Sequence, residues 1–171
     1  MVTEKIYPKL TPGQKVYGTF ESADILDFDR FRLRDFMKKG LISFGVTVAY
    51  GENSHRTVFN RKELYRLKLL DRFLKMGVKR SLAAQVIERL NRDDLDPNLT
   101  GWIIFSGFDS YKSAGKVHYT PIMGSGRNPD SLLKVLRDLD VNLVINIREI
   151  IRDVDEKIKA YQAIHGKKTK Q

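Results

Sequence analysis

The spacing of apolar side chains changes character several times along the chain, and each change marks an element. From about Gly18, Phe20, Ala23, Ile25 and Leu26 cluster at helical spacings, and a break at Asp27 and Asp29 separates them from a second helix predicted over residues 30–39. That helix carries Phe31, Leu33, Phe36 and Met37 inward, with Gly40 placed as its C-terminal cap. Residues 42–50 then alternate apolar with small or polar side chains, residues 51–54 are turn formers, and residues 55–59 return as a short strand, so a β-hairpin is expected. Asn60 and Glu63 have the spacing of a capping box, opening a third helix whose apolar side is Leu64, Leu67, Leu70, Leu74 and Met76 and which Gly77 ends. Ser81 is expected to cap a fourth, with Leu82, Ala83, Val86, Ile87 and Leu90 as its buried stripe. Residues 1–16 show no sustained period and read as an extended arm, and Asp96 before Pro97 closes the region.

The order helix, helix, hairpin, helix, helix over residues 17–95 is that of a winged helix-turn-helix. Past it the pattern changes. Residues 102–105 and 117–122 read as strands flanking a Gly/Ser-rich loop, and Asn128, Pro129 and Asp130 start a helix running to about Leu139. Residues 141–161 carry two signals. Apolar residues from Leu136 to Tyr161 recur as on one long helix, yet residues 141–145 are mostly apolar and β-branched, and Asn146 with Glu149 makes another capping box. A strand at 141–145 followed by a helix from 147 to about 164 is the preferred reading. The predicted fold class is therefore α+β: an N-terminal winged helix-turn-helix, a small α/β domain over residues 100–165 that ends in an amphipathic helix, and a basic tail over 166–171.

Charge adds a location to this outline. The chain of 171 residues is 42% hydrophobic and has a net charge of +10. Residues 30–80 hold fourteen basic side chains against four acidic ones, a surplus equal to that of the whole chain. A surplus confined in this way is the electrostatic footprint of a face that binds a polyanion. With no cysteine, disulfides, thiolate metal sites and thiol catalysis are excluded. No stretch approaches the roughly 18 apolar residues of a membrane span, and the N-terminus lacks a signal-peptide core, so a cytoplasmic protein with no membrane partner is expected.

Two segments carry a resemblance to a known family. Arg34, Phe36 and the pair Gly40-Leu41 are similar to the Arg-aromatic-aromatic-Glu run and following Gly-Leu of the mercury-resistance-regulator (MerR) superfamily. Residues 55–59 with Glu63-Leu64, and Gly77-Val78 with Ser81-Leu82, resemble its wing strand, third-helix start and Gly-Phe-Ser-Leu turn. The resemblance covers about residues 17–92, with Asp35 and Met37 standing where the family has an aromatic and an acid, and Asp27 where its turn glycine is usual. It implies a transcription regulator that binds an inverted-repeat operator in double-stranded DNA as a homodimer.

In that arrangement the second helix reads base edges while the wing and third helix grip phosphates. The candidate contacts are Arg30, Arg32, Arg34, Lys38 and Lys39 on the second helix, His55 and Arg56 in the wing, and Arg61, Lys62, Tyr65 and Arg66 on the third helix. For the dimer, the apolar stripe Ile147, Ile150, Ile151, Val154 and Ile158 is the candidate interface, and packing on its own domain's sheet explains the stripe equally well. The 123–128 segment could offer backbone amides to a small-molecule effector of unknown identity, but it lacks a third glycine and a Walker lysine and reads as a connector. His55, His118 and His165 have no metal-ligand spacing, and no nucleophile and base suggest a triad. Neither an enzyme nor a cofactor nor a metal is expected. The alternative is an architectural or adaptor protein that uses the same basic fold without sequence readout, which the carboxylates Asp24, Asp27 and Asp29 beside the reading helix favour.

Overall fold

The computed structural model describes residues 14–49, 55–90, 95–96, 100–106, 118–123 and 142–165. Among them the fold is α+β, with five helices and two three-stranded antiparallel sheets. The chain divides into two compact units, Met1–Leu64 and Tyr65–Gln171. No helix among the described residues is long and apolar enough to cross a membrane.

The first unit runs β1 (Val16–Gly18), α1 (Thr19–Leu26), α2 (Arg30–Lys38), β2 (Val46–Ala49), β3 (His55–Asn60) and the start of α3 (Arg61–Lys75). β3 is central, pairing with β1 through Tyr17 opposite Phe59 and with β2 through Thr47 opposite Thr57. The strand β1 replaces the end of the expected arm, because three residues are too few to display a period and their pairing partner lies far along the chain. It is tied to α1 locally: the Ser22 hydroxyl, fully buried, donates to the Tyr17 carbonyl, and the Gly18 amide donates to the Glu21 carboxylate at 2.6 Å.

The ends of α1, α2 and α3 repeat one solution. After α1 the amides of Asp27 and Phe28 return to the carbonyls of Asp24 and Ala23; after α2 those of Gly40 and Leu41 return to Met37 and Phe36; after α3 those of Gly77 and Val78 return to Leu74 and Phe73. Each is a Schellman closure around a left-handed residue, with φ +55° at Asp27, +64° at Gly40 and +81° at Gly77. The expected stops at Gly40 and Gly77 form, and Asp27 takes the left-handed role a glycine usually fills. The Asp29 side chain then accepts from the amides of Phe31 and Arg32 at 2.8 and 2.9 Å and caps α2.

The apolar interior of this unit is Tyr17, Ala23, Ile25, Leu26, Leu33, Phe36, Ile42, Val58, Phe59 and Leu64. Phe20 and Phe31 do not join it, being 51% and 74% exposed. The reason for Phe31 is geometric. Side chains advance about 100° per residue around a helix, so the side that holds Leu33 and Phe36 turns Phe31 outward. β2 is shorter than the expected 42–50 run because Gly45, at φ +113°, interrupts extended backbone just before Val46.

The second unit contains the rest of α3, α4 (Arg80–Arg89), β4 (Thr100–Ser106), β5 (His118–Met123), β6 (Asn142–Asn146) and α5 (Ile147–His165). β4 lies between β5 and β6, so the sheet is wholly antiparallel. The strand-then-helix reading holds at 142–165, with the Asn146 side chain accepting from the amides of Arg148 and Glu149. α4 starts two residues earlier than expected: its N-cap is Lys79, which makes no side-chain cap, and Ser81 is already helical. Met76 lies past the end of α3 and is 54% exposed, whereas Leu69 and Phe73 are fully buried, so α3 is enclosed on more than one side. The expected turn at 51–54, the helix at 128–139, the effector segment after Met123 and the basic tail lie outside the described residues.

Candidate nucleic-acid interface

Helical spacing sorts the candidate side chains of α2 before any contact is considered. Opposite Leu33 and Phe36 the outer face is centred on Phe31 and Lys38, which lie within about 20° of one another, with Arg34 and Asp35 flanking them. Arg34 and Lys38 are exposed, and among the described residues neither enters an ion pair. Asp35 holds Lys39 at 2.7 Å in an (i, i+4) pair.

The two remaining arginines of α2 are engaged within the unit. Arg30 presents Nε and Nη2 to the two carboxylate oxygens of Asp24 at 3.0 and 2.8 Å, and its guanidinium stands 5.8 Å from the Phe20 ring centre. Arg32 is half-buried with its guanidinium 5.4 Å over the Phe36 ring. A fork already holding a carboxylate must release it before reading a guanine. Arg34 is therefore the arginine of α2 best placed to act on a partner.

In the hairpin, His55 and Arg56 are exposed at the end of β3 that pairs with Ala49 and Val48. α3 opens with the expected capping box: the Asn60 amide donates to the Glu63 carboxylate at 2.6 Å, and the Glu63 amide donates to the Asn60 side chain at 3.0 Å. Arg61 and Lys62 occupy its first two positions, Arg61 exposed and Lys62 half-buried.

Farther along α3 the picture changes. Tyr65 is 4% exposed and its hydroxyl donates to Asp155 at 2.7 Å; Arg66 donates to the Leu90 carbonyl. Both belong to the second unit, where the Tyr65 hydroxyl and one Arg66 guanidinium nitrogen are engaged within the protein. Lys68 is likewise turned to Asp153 at 2.8 Å, and Lys75 to the buried Asp71 at 2.7 Å. Two of the six cations between residues 65 and 80, Lys68 and Lys75, are thus paired with acids of the same unit.

The candidate dimer stripe is also accounted for within one chain. Ile147, Ile150, Ile151, Val154 and Ile158 are between 0% and 7% exposed, with α5 packed on β4 of its own sheet. Of the two readings of that stripe, packing on the sheet is the one the single chain displays. The apolar pattern counts Phe31 with Leu33 and Phe36 and leaves Asp35 aside, whereas the 100° progression from Leu33 places both on the outer face. No protein-family model matches the chain, and no curated protein matches it.

Proposed function

We propose that residues 17–95 act as a winged helix-turn-helix of the MerR type and that the protein is a transcription regulator that binds an inverted-repeat operator in duplex DNA as a dimer. The observation that carries this reading is the outer face of α2, where Arg34 and Lys38 stand exposed and, among the described residues, outside any ion pair, on a capped helix held to α1. Arginine at such a position reads guanine through paired donors, and the hairpin and the start of α3 add cations suited to phosphates. The dimer contact is assigned to a surface other than the buried α5 stripe.

A second reading has its own observation. The Asp24–Arg30 and Asp35–Lys39 pairs withdraw two cations from the same helix, which suits an architectural or adaptor protein with no base preference. Selection of binding sites from a random duplex library by the purified full chain decides between them. An enriched inverted repeat is expected, and recovery of no motif would exclude the regulator.

A further inference from the structure

We infer that Phe31 is a specificity-determining residue, reading the C5-methyl group of a thymine in the major groove. The inference rests on the assignment of α2 as the helix that enters DNA. Phe31 is the most exposed large apolar side chain among the described residues, at 74%. It stands near the middle of the outer face of α2, flanked by Arg34 and Asp35, with Lys38 two turns along on the same side. Burial in the unit does not explain an aromatic ring there.

Three features favour a base edge as its occupant. The first turn of α2 is not open to a phosphate, because the Asp29 carboxylate already accepts from the amides of Phe31 and Arg32 and would repel an anion. The exposed Arg34 flanking the ring and the exposed Lys38 two turns along complement a polyanion rather than a neutral apolar partner. Phenylalanine has no polar side-chain atom, so among the groups a base pair presents in the major groove only the thymine methyl matches it.

Replacing thymine by deoxyuridine removes that methyl and leaves every hydrogen-bonding atom in place. The full chain should select an operator with a fixed thymine in each half-site, and a deoxyuridine at that position should weaken wild-type binding about four-fold, the worth of one buried methyl group. Phe31→Ala should bind the thymine operator about as weakly as wild type binds the uracil one and lose nothing further on the substitution. Phe31→Leu, which keeps an apolar contact, should retain part of the preference. Because the side chain is exposed, both variants should melt as wild type does. Equal wild-type affinity for the two operators, or undiminished discrimination by Phe31→Ala, would overturn the assignment of Phe31 while leaving the regulator standing. Selection that yields no motif removes both, and a protein partner whose capture depends on Phe31 while DNA binding does not would assign the ring to that partner instead.

Discussion

The Tyr65 hydroxyl donates to a carboxylate oxygen of Asp155 at 2.7 Å, joining α3 to α5 across ninety positions of chain. With its ring buried, Tyr65 is a packing residue whose polar tip is satisfied by an acid. Tyr65→Phe should therefore cost about 1.5–3 kcal/mol in chemical denaturation, as expected for a hydrogen bond to a charged group. Operator affinity at fixed salt should not change. Loss of affinity with unaltered stability would return Tyr65 to the contact surface.

Asp153 makes the same helix pair sensitive to acid. Burial acts to raise the pKa of its carboxyl, but the hydrogen bond and charge of Lys68, with the charges of Lys157 and Arg72, outweigh that and hold it below the ordinary 3.8. A carboxyl whose folded pKa is depressed stabilises the fold above its unfolded value, and the contribution is lost as pH falls through the folded one. Asp153→Asn should thus lower the urea midpoint at pH 7 and leave a shallower decline below about pH 4 than wild type shows. The carboxylate is 39% exposed, so the change is small. Parallel acid limbs for the two proteins would show that the pair does not couple to folding.

Two glycines separate backbone conformation from lack of space. At Gly40 an added Cβ meets nothing within 4 Å, and only φ +64° opposes it. At Gly45 it would stand 2.9 Å from both the Phe59 ring and the Thr57 methyl, with φ +113° besides. Gly40→Ala should cost about 1 kcal/mol and Gly45→Ala about 2–4 kcal/mol, since the second adds overpacking to strain. Thermal denaturation of the two variants gives the comparison directly. Equal losses would mean that β3 yields at Phe59 and Thr57 without cost.

How far such features can be read ahead of the structure depends on how local their cause is. The capping box at Asn60 and Glu63, the stops at Gly40 and Gly77, and the strand-to-helix change at Asn146 each form within a few residues, and each was legible. β1 was not, because Tyr17 finds Phe59 only after the chain has folded back. The same distinction governs the candidate site. Clustering of basic residues shows in the sequence, but whether a neighbouring acid claims one of them does not: Asp24 reaches Arg30 across a helix–helix turn, and Asp153 reaches Lys68 from another element. Phe31 illustrates a different gap. Its spacing from Leu33 already pointed outward, yet hydrophobicity alone argued for the interior.

The division of labour among the cations gives the sharpest comparison. Arg34→Ala should cost about 1–3 kcal/mol on the selected operator and relax base preference at one position of each half-site, because in the role proposed for α2 an exposed arginine flanking Phe31 discriminates between bases. Lys62→Ala should weaken specific and bulk duplex alike and lower the slope of log affinity against log salt by about one, the signature of a single phosphate contact. Arg30→Ala should resemble neither. Its fork is held by Asp24 at 2.8 and 3.0 Å in an exposed pair, so stability should fall by less than about 1 kcal/mol and base preference should survive. Binding titrations of the three variants on operator and bulk DNA over a range of salt would test the set. If Arg30→Ala and Arg34→Ala relax the same base position equally, the Asp24 pair opens on binding, and the reading face of α2 extends to its first residue.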